Sequence, residues 1–283
     1  MILKSLKTYF STTLLDHYPD TEIDSFFSML SLHILKMKRI DISQSLFSVV
    51  SGKKYDKFQV AIERLKLYEP IQYIIGDTEF YGLEFKVNPS VLIPRPETEE
   101  LVAWIIDGHK KKQQISILDI GTGSGCIAVT LAKHLVNANV YALDVSLEAL
   151  SLAKENALTN DVNVEFIEAD ILDWDYGDLQ FDVIVSNPPY VRELEKEAMS
   201  ANVLDHEPHL ALFVKDDDAL LFYRTITKVA NKILKPNGQL YFEINESLGK
   251  DTYDLLSNSG YSAVELKKDL FQKDRMIKAI KDE

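Results

Sequence analysis

Apolar side chains recur at three and four positions near the start of the chain: Ile2, Leu3, Leu6, Phe10 and Leu14. That spacing predicts an amphipathic helix. The same period over Asp20 to Lys38, Ser43 to Val50 and Tyr55 to Leu67 predicts further helices, with no strand alternation between them. Glu69-Pro70 closes this block, because proline disfavours helical geometry in the residue before it. Glu79-Phe-Tyr-Gly-Leu-Glu-Phe-Lys-Val87 then alternates around Gly82, as a hairpin does. From Gln114 onward the pattern changes again. Strand-like runs at Ile115 to Ile120, Val140 to Leu143, Val164 to Ile167, Phe181 to Ser186 and Gln239 to Ile244 alternate with helical patterns. Two closing runs, near Ala263 to Leu266 and Met276 to Ile280, complete a set of seven. The Asn237-Gly238 pair is expected to be the turn between a helix and the fifth strand. The expected architecture is α/β, a doubly wound, mostly parallel seven-stranded sheet behind a small helical domain. The expected divisions are residues 1–68 helical, 69–95 a hairpin linker and 96–283 the sheet domain.

Composition narrows the function classes. With 283 residues, 46% hydrophobic and 27% charged, the chain can bury a large core. Its formal charge of −13 gives little net field to attract a phosphate backbone, so direct nucleic-acid binding is not expected. The basic run Lys110-Lys111-Lys112 reads as a solvated linker. A single cysteine, Cys126, excludes an intramolecular disulfide framework and fits a reducing compartment, with cytoplasm expected. No apolar run approaches the ~20 residues of a membrane span. Met1 to Leu15 carries Lys4 and Lys7 and no acid before Asp16, faintly like an organelle transit peptide. It has no arginine, and its spacing is read as an ordinary helix.

Four segments carry chemistry. Ile117-Leu-Asp119-Ile-Gly121-Thr122-Gly123-Ser124-Gly125-Cys126 reads as a buried strand, a glycine turn and a helix start, the first unit of a nucleotide-type site. Glycines at such a turn allow positive φ and close backbone approach, while N–H groups at the helix start can meet a ligand's polar atoms. Cys126 stands where a dinucleotide fingerprint wants glycine or alanine, which weakens dinucleotide binding. Asp144 ends the second strand, where a carboxylate can accept from both hydroxyls of a ribose. Asp170 follows the third strand, where an adenine would lie, with Ile171 beside it as an adenine-packing residue; the alternative is a plain loop acid. Asn187-Pro188-Pro189-Tyr190 follows the fourth strand. Its prolines fix φ and lack N–H groups, so the segment offers acceptors, the Asn187 side-chain oxygen and backbone carbonyls, beside the flat Tyr190 ring. An NH2 conjugated to a carbonyl or a heteroaromatic ring fits that row. All four segments fall at strand carboxyl ends, where ligands of open α/β sheets sit. Arg95, Glu97 and Glu99 read either as a cap on this crevice or as a network fixing the helix start after Pro96. Glu243 is equally open. His206 and His209 form a His-x-x-His interrupted by Pro208, and no metal site is expected from it.

Together these residues resemble the class I S-adenosylmethionine-dependent methyltransferases, and more narrowly the release-factor glutamine methyltransferase family. The resemblance rests on Glu69-Pro-Ile-Gln-Tyr73-Ile-Ile-Gly76, Val91-Leu-Ile-Pro-Arg-Pro-Glu-Thr-Glu99, Asp119 to Gly125, Ser186 to Tyr190, and Glu207-Pro208 with Ala211-Leu212. It implies S-adenosylmethionine as cofactor, a peptide chain release factor as protein substrate, and methylation of the side-chain nitrogen of its Gly-Gly-Gln glutamine. By the same resemblance Asn187, Pro188, Pro189 and Tyr190 bind substrate, with Asn187, Pro188 and Tyr190 at the chemistry. Gly121, Thr122, Gly123, Ser124, Gly125, Asp144 and Asn187 meet the cofactor, and the helical block docks the partner. Asn245 and Gln272 depart from the family pattern, which has glycine at both, and Asp216-Asp217-Asp218-Ala219 lacks a glycine. Two other readings compete: an adenine-N6 methyltransferase acting on nucleic acid, and a non-catalytic S-adenosylmethionine-binding interaction module.

Overall fold

The computed structural model describes residues 1–110 and 114–282; Lys111 and Lys112 of the basic run lie outside them. The chain divides into two compact units, Met1–Gly76 with Ser200–His206, and Asp77–Met199 with Glu207–Glu283.

The first unit holds helices α1 (Leu3–Leu14), α2 (Asp20–Leu30), α3 (Arg39–Gln44), α4 (Gly52–Lys66) and α5 (Ile71–Ile75). Helix α1 buries Leu3, Leu6, Phe10 and Leu14, the face its spacing predicts. Phe10 meets Phe27 and Phe58 edge-on, with ring centroids 5.4 and 6.4 Å apart, a favoured aromatic geometry. The expected helix over Ser43 to Val50 does not form. Helix α3 ends at Gln44, and Val49 instead makes an antiparallel bridge to Ile2, pulling the segment away from helical geometry. Lys36 at φ 61° ends the preceding helical stretch in the left-handed region.

The second unit opens with a hairpin, β1 (Asp77–Phe80) and β2 (Leu83–Lys86), and then helix α6 (Pro96–His109). Next come β3 (Ile115–Ile120), α7 (Cys126–His134), β4 (Ala138–Asp144), α8 (Leu147–Thr159), β5 (Glu165–Glu168) and β6 (Phe181–Ser186). A short parallel pair, β7 (Val191–Arg192) and β8 (Phe213–Val214), follows, with α9 (Ala201–Leu204) of the first unit between them in sequence. The chain ends with α10 (Leu221–Ile233), β9 (Leu234–Glu243), α11 (Gly249–Ser257), β10 (Tyr261–Lys268) and β11 (Asp274–Lys281).

The seven-stranded sheet has the order β10-β11-β9-β6-β3-β4-β5. Among its seven strands β11 alone is reversed, pairing antiparallel with β10 and β9. Ile115 and Ile117 of β3 enter one core with α6 and α7, while Leu118 and Ile120 enter the opposite core with α10. Burial on both faces explains why these strands read as continuous apolar runs. The strand order reverses between β3 and β6, which opens a crevice at their carboxyl ends. Asn237-Gly238 does not precede the fifth strand but lies inside β9. Asn237 has φ 61°, and the β6–β9 register shifts between Phe181 and Val183, so the pair forms an irregularity within the strand. No helix among the described residues is long and apolar enough to cross a membrane.

Candidate active site

The glycine turn between β3 and α7 is held by backbone and buried side chains. Gly121 N and Thr122 N donate to Leu143 O at 2.8 and 3.0 Å, tying the turn to the end of β4. The glycines are needed for different reasons. Gly121 and Gly123 have φ of 74° and 54°, and a Cβ added to either meets nothing within 4 Å. Gly125 combines φ 80° with close packing: its Cβ would stand 3.0 Å from Ala153 Cβ, where α7 starts against α8. Ser124 is buried, and its carbonyl accepts from Asn156 Nδ2 at 2.9 Å.

Two carboxylates, Asp144 and Asp119, bond the residues of this turn, and Asp170 lies past the next strand. Asp144, half-buried at the end of β4, accepts from Gly123 N at 2.8 Å and from Ser146 N at 3.0 Å, one donor on each oxygen. It shapes the turn while keeping lone pairs for a ligand. Asp119 is fully buried; its Oδ2 accepts from Thr122 Oγ1 at 2.6 Å and Ala128 N at 3.2 Å, and its Oδ1 has no partner. Burial pushes the Asp119 carboxyl up to about 7, against the pull of the Thr122 and Ala128 hydrogen bonds. Asp170 is exposed beyond β5, and its Oδ1 accepts from Leu172 N at 2.9 Å, the pattern of a local turn. Ile171 beside it is buried in the core. Cys126 opens α7, but burial pushes its thiol up to about 12, so it is a packing residue rather than an activated nucleophile.

The second half of the crevice lies past β6. Ser186 Oγ donates to Ile120 O at 2.7 Å, joining β6 to β3 where the strand order reverses. Asn187 Nδ2 donates to Thr98 Oγ1 at 3.5 Å, a long bond, and Thr98 Oγ1 donates to Glu243 Oε2 at 2.6 Å. The Tyr190 hydroxyl donates to the other oxygen, Glu243 Oε1, at 3.1 Å. The Asn187 side-chain oxygen and the Pro188 carbonyl accept no hydrogen bond among the described residues. The Tyr190 carbonyl is taken, accepting from Asn245 Nδ2 at 3.2 Å. Glu243 is buried at the end of β9, and burial raises its carboxyl above the usual range; the Thr98 and Tyr190 hydrogen bonds and the Arg275 charge oppose this. Burial, reinforced by the Glu243 charge, also pushes the Tyr190 phenol far up, so it stays a neutral donor. A cavity of about 250 Å³ opens beside it, lined by Tyr190, Val191, Glu195, Met199, Asn245 and Arg275 among others.

Sequence reasoning left three of these groups without a role or undecided. Thr98 falls within the Val91 to Glu99 motif but receives no role there, since its partners lie 89 and 145 residues away. Asp119 and Glu243 each end an apolar strand, and an acid there is a buried charge that needs a reason. The expected Arg–Glu network at the helix start does not form among the described residues, where Arg95 pairs with neither Glu97 nor Glu99. Its Nη2 donates to the buried Glu207 Oε1 at 2.6 Å, while Glu99 Oε1 accepts from Tyr81 N at 2.8 Å. Asn245 bonds Tyr190, Glu195 and Ser247, which stiffens the cavity rim. His206 belongs to the first unit, where its Nε2 lies 2.8 Å from Leu67 O, and His209 to the second, packed edge-on against Phe213. No cluster of three or more metal-type ligands occurs among the described residues.

Comparison with known proteins places this architecture. Residues 102–211 match the family described as "Methyltransferase small domain", and residues 6–76 match "PrmC N-terminal domain". A release factor glutamine methyltransferase of Flavobacterium psychrophilum is 50% identical over 281 residues, covering 98% of this chain and 99% of that protein. A protein of the same name from Bacteroides thetaiotaomicron is 43% identical over 278 residues, covering 98% and 99%. Among solved structures, a methyltransferase from Pyrococcus furiosus superposes with a TM-score of 0.52 at 19% identity, covering 82% of this chain and 100% of that one. A Thermus thermophilus 16S rRNA methyltransferase gives 0.54 at 18% identity, covering 72% and 49%. At these identities the structures speak to the fold alone.

Proposed function

The chain belongs to the release factor glutamine methyltransferases, and from that premise we propose how its own residues carry out the reaction. It is an S-adenosylmethionine-dependent enzyme that methylates a release factor glutamine on its side-chain amide nitrogen.

The residues around the glycine turn fit this cofactor. The outer side of the turn is open at Gly121 and Gly123, where an added Cβ meets nothing, so a nucleoside and its tail can lie against bare backbone. Asp144 has acceptor capacity for ribose hydroxyls at the end of β4. Asp119, whose Oδ1 has no partner among the described residues, is a buried carboxyl beside the turn whose ionised form a cationic ligand favours. We assign Gly121, Thr122, Gly123, Ser124, Gly125 and Asp144 to holding it, with Ile171 and Asp170 beside the adenine. When bound, S-adenosylmethionine supplies a methyl group already activated by a sulfonium.

The protein's remaining task is to present a weak nucleophile, since the lone pair of an amide nitrogen is delocalised into its carbonyl. The Asn187 Oδ1 and the Pro188 carbonyl each accept one N–H of the glutamine amide. They hold the nitrogen, stabilise the positive charge that develops on it and favour its rehybridisation. Alignment of this kind supplies about 7–11 kcal/mol in favourable cases. Pro189 fixes the backbone between them and Tyr190, whose ring packs on the amide plane. The single observation that carries this reading is that, among the described residues, the Asn187 Oδ1 and the Pro188 carbonyl are left without intramolecular donors at the crevice mouth, while the neighbouring Tyr190 carbonyl is satisfied. The first unit is assigned to docking the release factor, the reaction to the cytoplasm, and the target to the glutamine of the Gly-Gly-Gln motif.

The test is transfer of label from methyl-labelled S-adenosylmethionine to a release factor or to oligonucleotides offered in parallel. Label on the Gly-Gly-Gln glutamine is expected. Label on adenine alone would replace this reading with the nucleic-acid one, and cofactor binding with no label anywhere would point to a binding module.

A further inference from the structure

A carboxamide is nearly symmetric in shape but not in chemistry. Turning the Asn187 amide by half a rotation exchanges its acceptor oxygen for an NH2 group with two protons. Only one of these orientations serves the role given to Asn187 above. With the amide turned the other way, NH2 would face the NH2 of the substrate glutamine, and neither could accept. Packing alone does not select between shapes so alike, so the selection must come from a polar neighbour.

That neighbour is Thr98, in the first turn of α6, whose Oγ1 lies 3.5 Å from Asn187 Nδ2. A threonine hydroxyl has one proton and can send it one way only. Thr98 sends it to Glu243 Oε2, 2.6 Å away, the short distance of a hydroxyl bound to a carboxylate. With its proton committed there, Thr98 Oγ1 has only lone pairs to offer Asn187. It can meet Nδ2 but repels Oδ1. The Asn187 oxygen is therefore turned away from Thr98 and towards the crevice. The second oxygen of the same carboxylate holds the Tyr190 hydroxyl at 3.1 Å. Two of these groups are anchored by burial: Glu243 and Thr98 are 1% and 2% exposed.

We propose that Glu243, acting through Thr98, is a positioning group that fixes which end of the Asn187 carboxamide faces the substrate, while its other oxygen anchors Tyr190. This rests on the reading of Asn187 as the acceptor for the glutamine amide. It makes a prediction that a purely structural role for Thr98 does not: the effect of Thr98 must pass through Asn187.

The experiment is a double-mutant cycle on the full-length enzyme with a release factor as substrate. Thr98→Val keeps the branched shape and removes the hydroxyl. It is expected to lower kcat about tenfold, the range of one neutral hydrogen bond, with S-adenosylmethionine affinity by calorimetry unchanged. Thr98→Ser, which retains the hydroxyl, is expected to restore most of that loss. In an Asn187→Ala background Thr98→Val is expected to add no further loss. Equal losses in Thr98→Ser and Thr98→Val, full activity of Thr98→Val, or an additive loss in the double variant would each overturn the proposal. If Thr98→Val does not fold, Thr98→Ala replaces it in the same cycle. Full activity of Asn187→Ala itself would instead overturn the underlying reading of the site, so the two failures are distinct.

Discussion

The two ends of the crevice are built by different means. The glycine turn is a local object: its strand, its turn and its helix start lie within Ile115 to His134, and its geometry is set by backbone φ values and N–H groups. The acceptor pocket is assembled from Thr98, Asn187, Tyr190 and Glu243, whose hydrogen bonds join residues 53, 89 and 145 positions apart. The local end tolerates little change in residue size at Gly125, where positive φ and the Ala153 contact strain any added Cβ. The assembled end depends on which atom donates and which accepts. Steric substitutions should therefore damage the first end and isosteric polarity changes the second.

Asn187→Ala gives the largest expected effect in this contrast. Removing one positioned acceptor from the reacting centre should lower kcat by about a hundredfold to a thousandfold, while calorimetry shows cofactor binding retained. Equal loss of cofactor affinity would mean that the two ends are not separate.

Asp144→Ala tests the converse. Hydrogen bonds to a charged acceptor contribute about 1.5–3 kcal/mol each, so cofactor affinity should fall by about tenfold or more, with much of kcat recovered at saturating cofactor. A fall in kcat that saturation does not relieve would show that the turn also controls the reacting end.

Asp119 adds a pH dependence that belongs to the cofactor end alone. Its carboxyl is raised to about 7 by burial, so in the free protein it is largely protonated below that pH. A cationic cofactor favours the ionised form. Affinity should therefore drop as pH falls below about 7, by up to about tenfold per unit under full coupling, and level off above it. The stability of the free protein runs the other way. A raised carboxyl binds more protons folded than unfolded, so the stability it contributes is present at low pH and is lost as pH rises through about 7. Calorimetry and thermal melts between pH 5 and 8 check both signs, and Asp119→Asn should flatten both curves.

The smallest expected effect separates two glycines of the same turn. Gly123→Ala meets only backbone strain, about 1 kcal/mol, whereas Gly125→Ala adds the clash with Ala153, for about 2–3 kcal/mol in total. Urea unfolding of the two variants measures the difference.

This division also explains what could be read from the sequence. The turn, the alternation of strands and helices and the buried face of α1 all follow from neighbouring residues, and all were legible. The Ser43 to Val50 segment has helical spacing, yet Val49 pairs with Ile2, a contact that no local period announces. Asn237-Gly238 has turn chemistry, but its partner strand absorbs it as an irregularity inside β9. Asn187 and Tyr190 were visible because their prolines restrict the backbone around them. Thr98 lay in a quoted motif, but its contact with Asn187 was not legible, because a hydrogen bond across the fold leaves no trace in spacing.

The path of the chain carries one further consequence. The polypeptide leaves the first unit at Gly76, returns for Ser200–His206 and leaves again. His206 in that returning stretch lies against the Leu67 carbonyl at 2.8 Å. The two units are therefore not consecutive cassettes that a single cut at residue 76 would separate. A gene trimmed there would encode a fragment carrying an orphaned loop, and swapping the leading helices for those of a relative would require transplanting that loop with them.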